Sequence, residues 1–198
     1  MWDAVLEAGK KHNLMVIAPA HHRRIQAGIL SWGQDLDHEH NPFQCNLGYQ
    51  VSLSGKGEWA KKGDYIGKQA LEKMKADLKD GHKPYKLQLV GFEIGGKPID
   101  EYAPDFWLVS PGDGGDPCGF ITSPWYHPEK GKNIAMGYIP FDGTLNPNGF
   151  PKWELGKKFK VHLPDIYADE PGVPVDAVTV DVPFTESFNA NTREVVKG

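Results

Sequence analysis

Lys86-Leu-Gln-Leu-Val-Gly-Phe-Glu-Ile94, followed at once by Gly95-Gly96, reads as a β-strand ended by a turn former. The chain beyond it repeats that grammar. Further strands are expected over 106–110, 119–123, 133–140, 157–163 and 175–182, with Gly112-Asp113-Gly114-Gly115 and Asn146-Pro147-Asn148-Gly149 as turn-forming punctuation. About six short strands without a helical pattern among them predict a small antiparallel barrel or sandwich. Gly112–Gly115 follows a strand but opens no helix, so it reads as a turn and not as a phosphate loop.

Upstream of Pro84 the pattern is mixed. Ile66, Ala70, Leu71, Met74 and Leu78 recur at helical spacing, lysines fill the other faces, and Gly81 and Pro84 stop the run. Trp2, Val5, Leu6 and Gly9 mark a short amphipathic helix closed by Lys10, Lys11 and His12. With no capping side chain before Trp2, that helix is expected to continue from upstream sequence. A β-type run is expected over 14–17, ended by Pro19, and alternation resumes over 47–53. Residues 22–32 fit a strand or an irregular helix equally, and 35–46 read as loop. The boundary between the two halves is placed near Tyr85, giving regions 1–85 and 86–198 and an α+β fold class.

The 198 residues include 22 Lys+Arg against 26 Asp+Glu, a formal charge of −4, so no excess of basic residues argues for a nucleic-acid groove or for binding to an anionic membrane surface. Only Arg23, Arg24 and Arg193 are arginines. Glycine (23) and proline (16) form about a fifth of the chain, and the aromatics comprise 6 Trp, 7 Tyr and 9 Phe, a composition suited to a turn-rich β body. Cys45 and Cys118 stand far apart, so neither a disulfide framework nor a zinc knuckle organises the fold. No apolar run is long enough to span a bilayer, and the acidic start is unlike a targeting peptide. A cytoplasmic location is expected.

The densest polar cluster is Asp35-Leu-Asp37-His38-Glu39-His40. It fails as a calcium loop, since His40 stands where glycine is needed and Asn46 where glutamate is needed. A metal site at His38 and His40 finds no third ligand at diagnostic spacing, so no metal is expected. Arg23 and Arg24 suit an internal ion pair with the acidic loop 35–39 or contact with an anionic ligand. The cysteines read as buried small hydrophobes, and Ser31, Ser52 and Ser123 lack the glycine-flanked elbow of a hydrolase. Residue types alone do not select a reaction.

Three ordered segments resemble the aminomethyltransferase family, the folate-dependent T-proteins of glycine cleavage and their demethylase relatives. The first runs from Arg23-Arg24-Ile-Gln-Ala-Gly28 through Ser31-Trp32-Gly33-Gln-Asp35-Leu-Asp37 to Asn41-Pro42-Phe43 and Leu47-Gly48. The second is Asp64-Tyr-Ile66-Gly67-Lys68-Gln-Ala70-Leu71. The third joins Leu89-Val90-Gly91-Phe92, Cys118-Gly119-Phe-Ile-Thr122-Ser123 and Asn133-Ile134-Ala-Met-Gly137-Tyr138. The paired arginines and Leu30-Ser-Trp-Gly33 look closer to the dimethylsulfoniopropionate demethylase-like and O-demethylase-like branches than to the glycine-cleavage enzyme, whose Ala-Arg-Asp triplet has no match near Ala20.

The resemblance implies a remnant of the folate-binding α/β domain over 1–85, then a C-terminal Greek-key β-barrel over 86–198. It implies tetrahydrofolate as cofactor and a small methyl or aminomethyl donor. Trp32 would face the pterin, Arg24 with Asp35 or Asp37 would brace the cavity wall, and Tyr65 would face the ligand. The family's catalytic aspartate segment is absent, so no catalytic residue is assigned and the chain alone is expected to be inactive. The alternative is a non-catalytic subunit or truncated binding module that needs a partner chain or a second copy of itself.

Overall fold

The computed structural model describes residues 1–16, 20–51, 53 and 64–184. Six strands, β1 (Leu87–Ile94), β2 (Trp107–Pro111), β3 (Gly119–His127), β4 (Lys132–Pro140), β5 (Lys158–Val161) and β6 (Val175–Val180), close into a barrel in the order β1-β4-β3-β2-β5-β6, every neighbouring pair antiparallel. β2, β3 and β4 form a meander and β1 returns beside β4, which is the Greek-key arrangement. The sequence expectation holds for all six strands. It stops β3 too early, because the strand continues through Pro124 to His127, and it overextends β5 and β6.

Period-two alternation fills the barrel. Val90, Phe92 and Ile94 of β1 meet Ala135 and Ile139 of β4, Val109, Ile121, Phe159, Val161, Val175 and Ala177 in one buried core. The Phe92 and Phe159 rings pack edge to face at 5.9 Å. The connection from β1 to β2 crosses one end of the barrel, plugging it with Ile99. Asn133 clips that crossing: its side-chain amide donates to the carbonyls of Gly95 (3.1 Å) and Lys97 (3.0 Å), and its Oδ1 accepts from the Ile99 N–H (3.0 Å).

β1 and β4 are buried on both faces. Their outward residues Leu89, Ile134, Met136 and Tyr138 form a second core with Ile25 and Phe184. Ile25 belongs to α2 (His21–Gln26), which settles the open reading of 22–32 as a short helix followed by irregular chain. A third cluster joins Phe43, Leu78 and Phe141 and seats α3 (Lys68–Lys79), the helix expected from its spacing, although Ile66 stands before it, exposed, and is not on its apolar stripe.

Two local expectations are corrected. Residues 14–16 form no strand, and 17 lies outside the described residues; Leu14, Met15 and Val16 are all exposed, so no sheet edge is there to receive them. The alternation at 47–53 is a single 3₁₀ turn, Gly48–Gln50, with 52 outside the described residues. The first helix, α1 (Trp2–Gly9), forms as expected but buries none of its residues.

Candidate functional site

The first family-like segment docks onto the barrel through one carboxylate. Asp35 is 1% exposed. Its Oδ2 accepts from Arg24 Nη1 (2.7 Å) and the Ser31 N–H (2.8 Å); its Oδ1 accepts from the hydroxyls of Thr122 and Ser123, each at 2.5 Å. Its backbone carbonyl accepts from the Tyr138 hydroxyl at 2.6 Å. A charge this deeply buried is stable only when paired and fully hydrogen-bonded, and here both conditions are met.

β3 makes this possible by an irregularity. Ile121 pairs with Gly137 but Ser123 pairs with Met136, so Thr122 is an extra residue in the strand. In a regular strand neighbouring side chains point to opposite faces; a bulge sets two residues against one and lets both hydroxyls turn toward the same carboxylate.

Arg24 is committed entirely to this lock. Its Nε donates to His21 Nδ1 (3.0 Å), Nη1 to Asp35 and to the Ile29 carbonyl (3.2 Å), and Nη2 to Gln34 Oε1 (3.0 Å) and Ser123 Oγ (2.8 Å). These are all five donors of a guanidinium. Of the two readings weighed for the arginine pair, Arg24 makes the internal ion pair, while Arg23 is exposed. Gln34 extends the lock by donating to the Thr122 carbonyl at 2.8 Å.

Asp37 turns away from the lock to the surface, where the Glu39 N–H and the His40 ring hold its carboxyl below its ordinary range. Among the described residues no three His, Cys, Asp or Glu side chains gather as a metal-binding group.

His21 is the titrating member of the cluster. Its ring stacks on Tyr102 with centroids 4.6 Å apart, and the bond from Arg24 to Nδ1 assigns the neutral ring's proton to Nε2. Partial burial, and then the Arg24 charge, hold its pKa below the ordinary histidine value, against a smaller opposing pull from Asp35. The folded state therefore resists protonation more than the unfolded chain does. This contribution to stability is complete above about pH 6.5 and is lost as the pH falls from there toward the lowered value. In urea titrations at several pH values, the decline below neutrality is expected to be shallower for His21→Phe, which keeps the stack but not the proton site; an unchanged slope would contradict this assignment.

Trp32 sits in the turn that Asp35 anchors. The Gly33 N–H donates to the Leu36 carbonyl at 2.8 Å, Gly33 has φ +81°, and the indole stands outside with 69% of its surface exposed. Tyr65, 40% exposed, opens the turn into α3, and its carbonyl accepts from the Lys68 N–H. The structure thus joins Arg24 to Trp32 through one anchored turn, while the lock is built without Tyr65. Thr122, Ser123 and Tyr138 are the partners that the residue-by-residue reading did not assign. Their only sequence trace is membership of the Gly119-Phe-Ile-Thr-Ser123 and Ile134–Tyr138 motifs.

Cys45 is buried, and its thiol lies 3.4 Å from the Tyr138 hydroxyl; since that hydroxyl's proton goes to Asp35, the thiol is the donor. Burial pushes up both the Cys45 and the Cys118 thiols. Cys118 is only half-buried, a correction to the expectation for it.

A Greek-key barrel with a carboxylate-locked N-terminal segment is the class of domain this geometry defines. No family model matches the sequence. Among curated proteins the chain is 31% identical over 144 residues to the aminomethyltransferase of Symbiobacterium thermophilum, covering 71% of this chain and 33% of that protein. It is 28% identical to the aminomethyltransferase of Halothermothrix orenii (72% and 35%), and 29% identical over 166 residues to the dimethylsulfoniopropionate demethylase of Ruegeria pomeroyi (83% and 38%). The crystal structure of the glycine cleavage system aminomethyltransferase T from Bartonella henselae has the same fold over 82% of this chain and 37% of its own, with a TM-score of 0.56 at 20% identity. The chain is thus similar in sequence to aminomethyltransferases and to this demethylase, over part of their length. It spans about a third of the length of the curated relatives it matches. Among the described residues no helix is long and apolar enough to cross a membrane.

Proposed function

We propose that this chain is the C-terminal part of a tetrahydrofolate-dependent one-carbon transferase or demethylase, working in the cytoplasm on a small methyl or aminomethyl donor. The observation that carries the reading is the lock itself. Residues from the first and third family-like segments, up to 103 positions apart, meet at Asp35, and the turn they hold presents Trp32 outward. An exposed indole on a rigid turn fits the flat face of a pterin. Arg24 has no donor left for the folate tail, so its role is to position that turn, and Tyr65 is assigned to the ligand side on the resemblance alone.

Tetrahydrofolate would supply the nitrogen that accepts the one-carbon unit. This chain would supply one wall of the cavity and the barrel behind it, with the boundary near Tyr85; acid–base groups would come from the polypeptide that matches the rest of the relatives' length. α1 supports a partner surface, since Trp2 and Val5 are 61% and 51% exposed on a helix that buries nothing.

The test is to co-express the chain with the polypeptide matching the remaining length of the relatives and to titrate tetrahydrofolate by calorimetry. Binding is expected for the pair and not for the chain alone, and Trp32→Ala is expected to weaken it about tenfold or more with little change in stability, the scale of one lost ring contact. A pair that assembles but takes up no folate overturns the reading. A chain that runs alone as a folate-free monomer by size exclusion, and does not assemble with that polypeptide, favours an independent binding module.

A further inference from the structure

A cavity of about 240 Å³ lies between the anchored N-terminal segment and the outer wall of the barrel. Leu30, Leu89, Val90, Met136 and Val182 supply its apolar walls, and Trp153 stands at one side. A second hollow of about 190 Å³ shares Asn46, Tyr49 and Trp153 with the first and continues it between Phe43 and Phe150. Among the described residues, none that lines either hollow carries a charge. Lys75 rests its ammonium over the Phe150 ring at 5.5 Å from the centroid, and it belongs to neither lining.

The hollow is unlike a packing fault. Protein interiors leave few voids larger than a water molecule, yet the walls here are close-packed. A Cβ on Gly48 would stand 2.8 Å from a Phe43 ring carbon and 2.9 Å from a Phe150 ring carbon. Asn46, held at φ +61°, donates its amide to the Leu89 carbonyl (2.8 Å) and accepts from Gln88 (2.5 Å). Trp153 Nε1 donates to the Val180 carbonyl at 3.0 Å, and the Cys45 thiol is taken by Tyr138. With these polar groups already partnered, the inner hollow offers water few of the two to four bonds that a buried water needs. At the outer end, Asn146 accepts from the Asn148 and Phe150 N–H groups through Oδ1, which leaves its amide N–H able to donate at the mouth.

We propose that this double hollow is a binding site for an uncharged small molecule with an aromatic body, whose one acceptor group meets Asn146 at the mouth. A charged ligand would lose its hydration and find no counter-charge. An aromatic body would replace water against the aliphatic walls of the inner hollow and meet the exposed edges of the rings in the outer one. The site is distinct from the face carrying Trp32, which lines neither hollow, and the inference does not depend on the folate reading.

The experiment uses the whole chain and N-phenyl-1-naphthylamine, a neutral aromatic probe that fluoresces when removed from water. Saturable one-to-one binding is expected. In a Cys118→Ser background the bound probe is expected to slow alkylation of Cys45 by N-ethylmaleimide. Ala27→Phe and Leu47→Trp fill the inner hollow from two different walls, and each is expected to weaken the probe about tenfold or more while a cooperative thermal transition is kept. If one of the two fails to fold, the other and the alkylation rate decide. Unchanged affinity in a folded filling variant, or unchanged Cys45 alkylation at saturating probe, overturns the proposal. Competitive displacement by tetrahydrofolate also overturns it, by making the hollow part of the folate site.

Discussion

Asp35→Ala is expected to lower the unfolding free energy by about 3–5 kcal/mol, the usual cost of leaving one half of a buried ion pair uncompensated. Its side chain is fully enclosed and that of Arg24 is 16% exposed, so water cannot easily replace the lost carboxylate. The Ser31 N–H and the Ser123 hydroxyl lose their acceptor in the same step, while the Thr122 hydroxyl is left with the Met136 carbonyl at 3.1 Å. Asp35→Asn should recover part of the loss, because an amide oxygen still accepts while its NH₂ group faces donors. Urea denaturation at constant pH measures both. Asp35→Ala and Ser123→Ala are also expected to be non-additive, since both remove the same bond. A loss below about 1 kcal/mol for Asp35→Ala would place the lock among the weak surface pairs and defeat this account.

Gly119→Ala is expected to cost about 3 kcal/mol, at the upper end of overpacking substitutions. Gly119 opens β3, and a Cβ there would run into the backbone carbonyl of Tyr138 on β4. A flexible side chain could swing aside, but this obstacle is main chain. Its partner strand carries the lock's Tyr138 and cannot shift without disturbing Asp35. Thermal denaturation gives the cost. The near-ultraviolet signal of Trp32 should change with it, because the turn bearing that indole hangs from the same two strands. Gly114→Ala serves as a control for space: a Cβ at Gly114 meets nothing within 4 Å, so any loss there comes from its φ of +96° alone.

The barrel was legible because its strands are punctuated by glycine and proline, and its two-residue alternation survives in any one strand. β1 and β4 read as continuous apolar runs for a reason that becomes visible only when the Ile25 segment covers their outer faces. The strand expected at 14–17 does not form over its described part, 14–16, because an apolar run becomes a strand only where a sheet edge accepts it. At the site, opposite charges made the Arg24 pairing with the 35–39 loop legible, though not which acid it would choose. Asp37 and Asp35 are equivalent by composition and differ only in what the fold brings to them. Thr122 and Ser123 could not be chosen because their role depends on a one-residue slip against β4, which leaves no periodic signature. Tyr138 bonds a backbone carbonyl 103 positions away, a contact that asks nothing of the residue type at position 35.

The bond from Arg24 to Ser123 closes a span of 99 residues, and that span has a meaning during synthesis. The segment carrying Arg24, Trp32 and Asp35 leaves the ribosome first, and the hydroxyls that receive it are made later. At about 5–20 residues per second, it waits roughly 5–20 s with its aspartate and arginine still in water. Order along the chain is then the reverse of order in folding: the barrel has to close before the earlier segment can set. Long-range pairings of this kind slow the search for the native state. Chaperone binding to nascent chains is therefore expected to persist until β6, the strand that closes the barrel onto β1, has emerged and then to fall away.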